Sequence, residues 1–201
     1  MIAIVNYGLG NLYSIRRSLD YIGQESIITR DPAEILAADR VILPGVGAFR
    51  DAAKLLSETG LDAVVKAYAA TGKPLLGICL GMQLLFEKSY EYGEYEGLGL
   101  LPGQVCSLEA DLSDLKVPHI GWNALRIRKE IPLLKYSKEG DCVYYVHSFY
   151  AKNCDDVVAA DSEYGVRVPG AVARGNVMGT QFHPEKSGPA GLAILRAFAE
   201  L

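Results

Sequence analysis

Leu75-Leu76-Gly77-Ile78-Cys79-Leu80-Gly81-Met82-Gln83-Leu84-Leu85-Phe86 is the stretch on which the fold turns. Residues 75–78 read as a buried strand, and 80–86 continue at once as an apolar helical pattern. A strand that passes straight into a covered helix belongs inside a layered α/β structure. Toward the N-terminus the same alternation repeats. Residues 2–5 read as a strand, Leu12, Ile15, Leu19 and Ile22 share a helical face, and 25–29 and 40–43 are further strands. Leu61, Val64, Val65 and Tyr68 mark another amphipathic helix, closed by Gly72 and Pro74. Toward the C-terminus the pattern shortens to β-type runs at 104–108, 124–127, 143–150, 157–160, 171–173 and 177–182, before a last helix over 188–201. The polar, glycine-bearing segment 90–97 reads as a surface loop. The expected fold is α/β, a mostly parallel central sheet flanked by helices with an antiparallel β extension, in one domain over 1–201.

Composition narrows the partners. The chain has 201 residues, half of them hydrophobic and 22% charged, which excludes disordered and fibrous architectures. Lys plus Arg number 20 against 24 Asp plus Glu, and no basic block stands out, so neither nucleic acid nor an anionic membrane is expected. The longest charge-free stretches, 2–15 and 74–86, are shorter than the ~18 residues of a membrane span. The first residues lack a basic region and read as a strand, not a signal peptide. The cysteines at 79, 106, 142 and 154 form no paired motif, so a reducing, cytoplasmic compartment is the default and no metal is expected.

Gly77-Ile78-Cys79-Leu80-Gly81 has the form of a nucleophile elbow, glycine–x–nucleophile–x–glycine between strand and helix. At that place Cys79 is either a nucleophile favoured as thiolate by a helix N-terminus or a small packed core residue. The N–H of Leu80 would face the charge that develops on an attacked carbonyl. A cysteine nucleophile needs a base and a group to orient it. Of His119, His147 and His183, the last ends a strand run and is followed by Pro184-Glu185, so Glu185 can fix its tautomer. Pro44-Gly45-Val46-Gly47-Ala48-Phe49 follows the third strand at the end of the sheet where ligands of α/β folds bind. Its glycines allow a second oxyanion donor there. Gly8-Leu9-Gly10 lacks the third glycine of a dinucleotide fingerprint, Tyr13 standing in its place, and that reading is rejected.

Gly77–Leu85 together with Gln181-Phe182-His183-Pro184-Glu185 resembles the class I glutamine amidotransferases. Asn6-Tyr7-Gly8-Leu9-Gly10-Asn11-Leu12, the 44–49 loop, Pro118-His119-Ile120-Gly121-Trp122-Asn123 and Tyr145-Val146-His147-Ser148-Phe149 narrow the likeness to the glutaminase subunits of imidazole glycerol phosphate synthase. The resemblance implies that Cys79 attacks the side-chain amide of glutamine, His183 carries the proton and Glu185 orients His183. It implies oxyanion N–H groups at Leu80 and Val46, and a substrate pocket of Gly47, Gln83, Glu91, Ser148 and Phe149. It also implies a (β/α)8-barrel cyclase partner that receives the ammonia, with Asn11, Trp122 and His147 near the interface, and no cofactor. Cys106, Cys142, Cys154 and His119 are left to packing or surface roles.

Three other readings compete. One is the glutaminase subunit of pyridoxal 5′-phosphate synthase, against which the 44–49 and 121–123 stretches speak. The others are a cysteine peptidase or γ-glutamyl hydrolase, and a non-catalytic module that keeps the elbow. Activity on free glutamine separates the last two, and the bound partner separates the first.

Overall fold

The computed structural model describes residues 1–201. In chain order the first half holds β1 (Ile2–Val5), α1 (Leu12–Tyr21), β2 (Ser26–Thr29), α2 (Pro32–Ala37), β3 (Arg40–Leu43), α3 (Phe49–Glu58), α4 (Leu61–Ala70), β4 (Leu75–Ile78) and α5 (Leu80–Leu84). Next come β5 (Lys88–Ser89), β6 (Tyr95–Glu96), β7 (Gln104–Ser107), β8 (His119–Ala124) and β9 (Arg126–Ile127). The chain ends with β10 (Cys142–His147), β11 (Phe149–Lys152), β12 (Val158–Glu163), β13 (Arg167–Arg174), β14 (Val177–Thr180) and α6 (Gly188–Ala199).

Eight strands form the main sheet in the order β2-β1-β3-β4-β14-β13-β12-β9. The first five run parallel and the last three are added antiparallel. Alternation along the strands divides the core into two layers. Ala3, Val5, Val41, Leu43 and Leu75 face Ile35, Phe49, Leu56, Val65 and Tyr68 of α2, α3 and α4. Ile2, Ile4, Ile42, Leu76 and Ile78 face Ile15 and Leu19 of α1 and Ile194, Leu195 and Phe198 of α6. No helix is long and apolar enough to cross a membrane.

Several boundaries differ from the expected ones for identifiable reasons. Neither α2 nor α3 was anticipated, although Asp31 caps α2 by accepting from the Ala33 N–H at 2.7 Å, with Pro32 in the first turn. The run 143–150 is two strands in different sheets: β10 pairs with β8, and after Ser148 the chain crosses to pair β11 with β7. The run 124–127 is likewise broken, since Leu125 turns fully inward between β8 and β9. Segment 90–97 is not purely a loop, because Tyr95–Glu96 closes a hairpin on Lys88–Ser89.

The parallel core fixes where the site can be. β3, β4 and β14 are adjacent, with Ile78 beside Thr180 and the Cys79 N–H donating to the Thr180 carbonyl at 2.7 Å. Their carboxyl ends therefore deliver the 44–49 loop, Cys79 and His183 to one edge.

Candidate active site

Cys79 carries the strain of the strand-to-helix turn. Its φ of 55° lies in the left-handed region that favours glycine. Holding a side chain there costs on the order of 1–3 kcal/mol. The flanking glycines serve clearance. A methyl group on Gly81 would sit 1.9 Å from the Leu43 carbonyl oxygen, and one on Gly77 would sit 2.7 Å from the Gly81 oxygen. α5 has only five residues, so its N-terminus offers the free N–H groups of one turn and not a long helix dipole.

His183 is almost fully buried, and its Nδ1 lies 2.7 Å from Glu185 Oε1. Residues Pro184–Lys186 form a single tight turn that folds the carboxylate back under the imidazole. The backbone that carries the ring is fixed as well. The His183 main-chain N–H donates to the Tyr144 carbonyl at 2.9 Å, and the His183 main-chain carbonyl accepts from Ser187 Oγ at 2.6 Å. Asn11 Nδ2 donates to the same Glu185 Oε1 at 3.3 Å, while Glu185 Oε2 is buried without a partner. Burial alone would lower the His183 pKa, but hydrogen bonding and charge attraction from Cys79 and Glu185 outweigh it and raise the pKa well above its ordinary value. That is the electrostatics of an imidazole whose protonated form is favoured by the two side chains it faces.

A cavity of about 460 Å³ opens over Cys79 and His183. Of the residues anticipated for catalysis, oxyanion binding or substrate, Val46, Gly47, Cys79, Leu80, Gln83, Glu91, Ser148, Phe149 and His183 all line it. Glu185 stands behind His183. Asn11 and His147, expected near an interface, also line the cavity, and His147 is buried there. Trp122 lies outside the cavity, 66% exposed on β8 beside the 58% exposed Ile120. Tyr92, Pro118, Val146 and Lys186 line the cavity without having been anticipated.

Two polar groups are more engaged with the protein than expected. Gln83 Nε2 donates to the Phe149 carbonyl at 2.9 Å and to Gln181 Oε1 at 3.0 Å, so only its Oε1 is left for a ligand. Glu91 Oε2 accepts from the Phe49 N–H at 2.8 Å, tying the 90–97 segment to the end of the 44–49 loop. Partial burial raises the Glu91 pKa, against that hydrogen bond. His119 is buried, stacked between Tyr145 and Tyr164, with its Nδ1 3.0 Å from His147 Nε2. Burial lowers the pKa of His119 to about 4 and that of His147 to about 3. Both rings are neutral near pH 7.

Cys154 is buried, which pushes its thiol up to about 11, and Cys106 is half-buried and also raised by burial. Cys142 is exposed on β10. No cluster of His, Cys, Asp and Glu suits a metal ion.

The family model for Glutamine amidotransferase class-I matches residues 3–200. The imidazole glycerol phosphate synthase subunit HisH of Bacillus cereus is 54% identical over 198 residues, 98% of this chain and 93% of that protein. The protein of the same name from Listeria monocytogenes is 51% identical over 201 residues, 100% of this chain and 96% of the relative. A solved structure titled as the crystal structure of glutamine amidotransferase superposes with a TM-score of 0.77 at 21% identity, covering 99% of this chain and 97% of the other.

Proposed function

The chain belongs to the class I glutamine amidotransferases, and from that premise we propose that Cys79, His183 and Glu185 hydrolyse glutamine within the cavity they share. The chain is the glutaminase of imidazole glycerol phosphate synthase and acts in histidine biosynthesis. The rival assignment to pyridoxal 5′-phosphate synthase is not favoured by relatives at 50–54% identity over nearly the whole chain.

The observation that carries the catalytic reading is the strained Cys79 beside a buried histidine whose far nitrogen is held by a buried carboxylate. As thiolate, Cys79 attacks the side-chain carbonyl carbon of glutamine. The N–H groups of Leu80 and Val46 receive the oxyanion. His183 gives its proton to the departing nitrogen, which leaves as ammonia, and a glutamyl thioester remains. Water attacks the thioester, His183 takes the water's proton, and glutamate leaves as the thiolate re-forms. Glu185 keeps His183 in the tautomer that faces Cys79 and balances the imidazolium. Gln83 Oε1, Glu91, Gly47, Ser148 and Phe149 form the walls that hold the amino-acid end.

As a synthase subunit the chain works with a partner. That partner is a (β/α)8-barrel cyclase that takes up the ammonia, docking over β8, where Trp122 and Ile120 stand exposed. Asn11 and His147 connect that side to the site, in a single domain working in the cytoplasm. A glutamine-like chloroketone tests the reading. The expected adduct, mapped by peptide mass spectrometry, is on Cys79 alone. An adduct on the exposed Cys142 with Cys79 untouched would overturn it.

A further inference from the structure

Gln181 follows β14 and is completely buried. Its carboxamide bridges two residues of the site: Oε1 is 3.0 Å from Gln83 Nε2, and Nε2 is 3.7 Å from Cys79 Sγ. Which end of each amide faces which neighbour follows from one atom that has no choice. The Phe149 carbonyl oxygen can only accept, so the Gln83 atom 2.9 Å from it is Nε2. The second Gln83 N–H then needs an acceptor, which Gln181 Oε1 provides. The NH2 end of Gln181 is thereby turned to the sulfur. Turning Gln181 over would set two NH2 groups face to face and point a carbonyl oxygen at Cys79.

The anchor itself is clamped. The Phe149 carbonyl also accepts from His147 Nδ1 at 2.9 Å, which makes His147 Nε2 an acceptor and His119 Nδ1 its donor at 3.0 Å. Asn123 Nδ2 lies 3.4 Å from the remaining His119 nitrogen. Every polar group from β8 to the sulfur therefore has one consistent orientation, and that orientation ends in an N–H at Cys79.

We propose that Gln181 is a second hydrogen-bond donor to the Cys79 sulfur, beside His183, and holds Cys79 in its ionised, attacking form. The proposal rests on Cys79 being the nucleophile. An N–H bonds strongly to a charged acceptor and weakly to a neutral thiol or thioester sulfur. Gln181 therefore favours the thiolate before attack and again as the thioester breaks and sulfur departs with the electron pair. It gives up no proton, since the thiol proton resides on His183.

The test is the rate of carbamidomethylation of Cys79 by iodoacetamide across a pH series, read by peptide mass spectrometry on the full chain. Gln181→Met removes the donor at similar volume, and Gln181→Glu sets an oxygen acceptor against the sulfur. Near neutral pH the Met variant is expected to react about ten-fold more slowly, the worth of one hydrogen bond to a charged group. It should approach the wild-type rate in alkali, with the Glu variant slower still. Turnover should fall in kcat with KM for glutamine nearly unchanged. Superimposable pH profiles for all three proteins would overturn the proposal. If Cys79 of the unmodified chain reacts no faster than Cys142, the nucleophile reading itself fails, a different result from matching profiles. If neither variant folds, the side-chain amide protons of Gln181 in the unmodified chain decide by nuclear magnetic resonance. They should move with pH in wild type and not in Cys79→Ala, and a flat response in both would overturn the donor role.

Discussion

Glu185 Oε1 lies 2.7 Å from Nδ1 of His183, two residues earlier, and neither side chain reaches solvent to any useful extent. The tight 184–186 turn brings the carboxylate to the ring across so short a stretch of chain. Removing the charge while keeping the shape isolates its role. Glu185→Gln is expected to lower kcat for glutamine by about 10²–10⁴, the range of a positioned acid–base group. Steady-state kinetics reads kcat, and a urea melt on the same variant establishes that it is measured on folded chain. Unchanged kcat would remove Glu185 from the mechanism.

The elbow glycine makes a structural prediction. A methyl group on Gly81 collides with the Leu43 carbonyl, a backbone atom of a central strand that cannot step aside cheaply. Gly81→Ala should therefore destabilise the chain by about 2–3 kcal/mol, as overpacked sites do. It should also abolish glutaminase activity in the fraction that folds. Urea denaturation followed by circular dichroism gives the first quantity, and wild-type stability would contradict the close approach.

Acid sensitivity follows from the buried histidine pair. Both folded-state pKa values are lowered, to about 4 for His119 and about 3 for His147. The unfolded chain takes up protons on these rings below about 6.5 while the folded chain does not. The stability from burying them neutral is therefore present above that pH and lost as pH falls toward the folded values. His119→Phe, which keeps the stack between Tyr145 and Tyr164, should lose less stability than wild type between about pH 7 and about pH 4.5. An equal loss in urea melts would show that other groups dominate.

The 44–49 loop has the makings of a switch. The Pro44 carbonyl is pinned by Tyr7 Oη at 2.9 Å, and Gly47 holds a φ of 92°, so the Gly45–Val46 peptide lies between two fixed points. Turning that peptide presents or withdraws the Val46 N–H. One oxyanion donor is worth ~10²–10³ in rate. The isolated chain is expected to hydrolyse glutamine slowly and to accelerate by about that factor when the proposed cyclase partner binds its own ligand. Full activity alone, unchanged by partner or ligand, would contradict the switch.

Much of this was legible in the order of residues, because period and apolar content directly report strands buried on both faces. The elbow carried its own context, whereas the His183–Glu185 pair and the 44–49 loop stood out only together with it, through the resemblance to the class I glutamine amidotransferases. What escaped depended on neighbours distant in sequence. Phe49, Ala52 and Leu56 form the buried face of α3, but the glycine-bearing loop just before them gives the stretch the look of a turn. Ser148 gives no local sign that the chain changes sheets there. Gln181 read as one letter of a motif, since its task is set by Gln83, Phe149 and Cys79 from separate elements. His119 looked like filling, and its link to His147 exists only because β8 and β10 pair in register.

The most direct test compares two nitrogen sources in the assembled synthase. With the proposed cyclase partner present, Cys79→Ser and His183→Ala chains are expected to give no product from glutamine and near wild-type product from ammonium salt at raised pH. Loss of both routes together would mean that the three residues hold the structure and do not release the nitrogen.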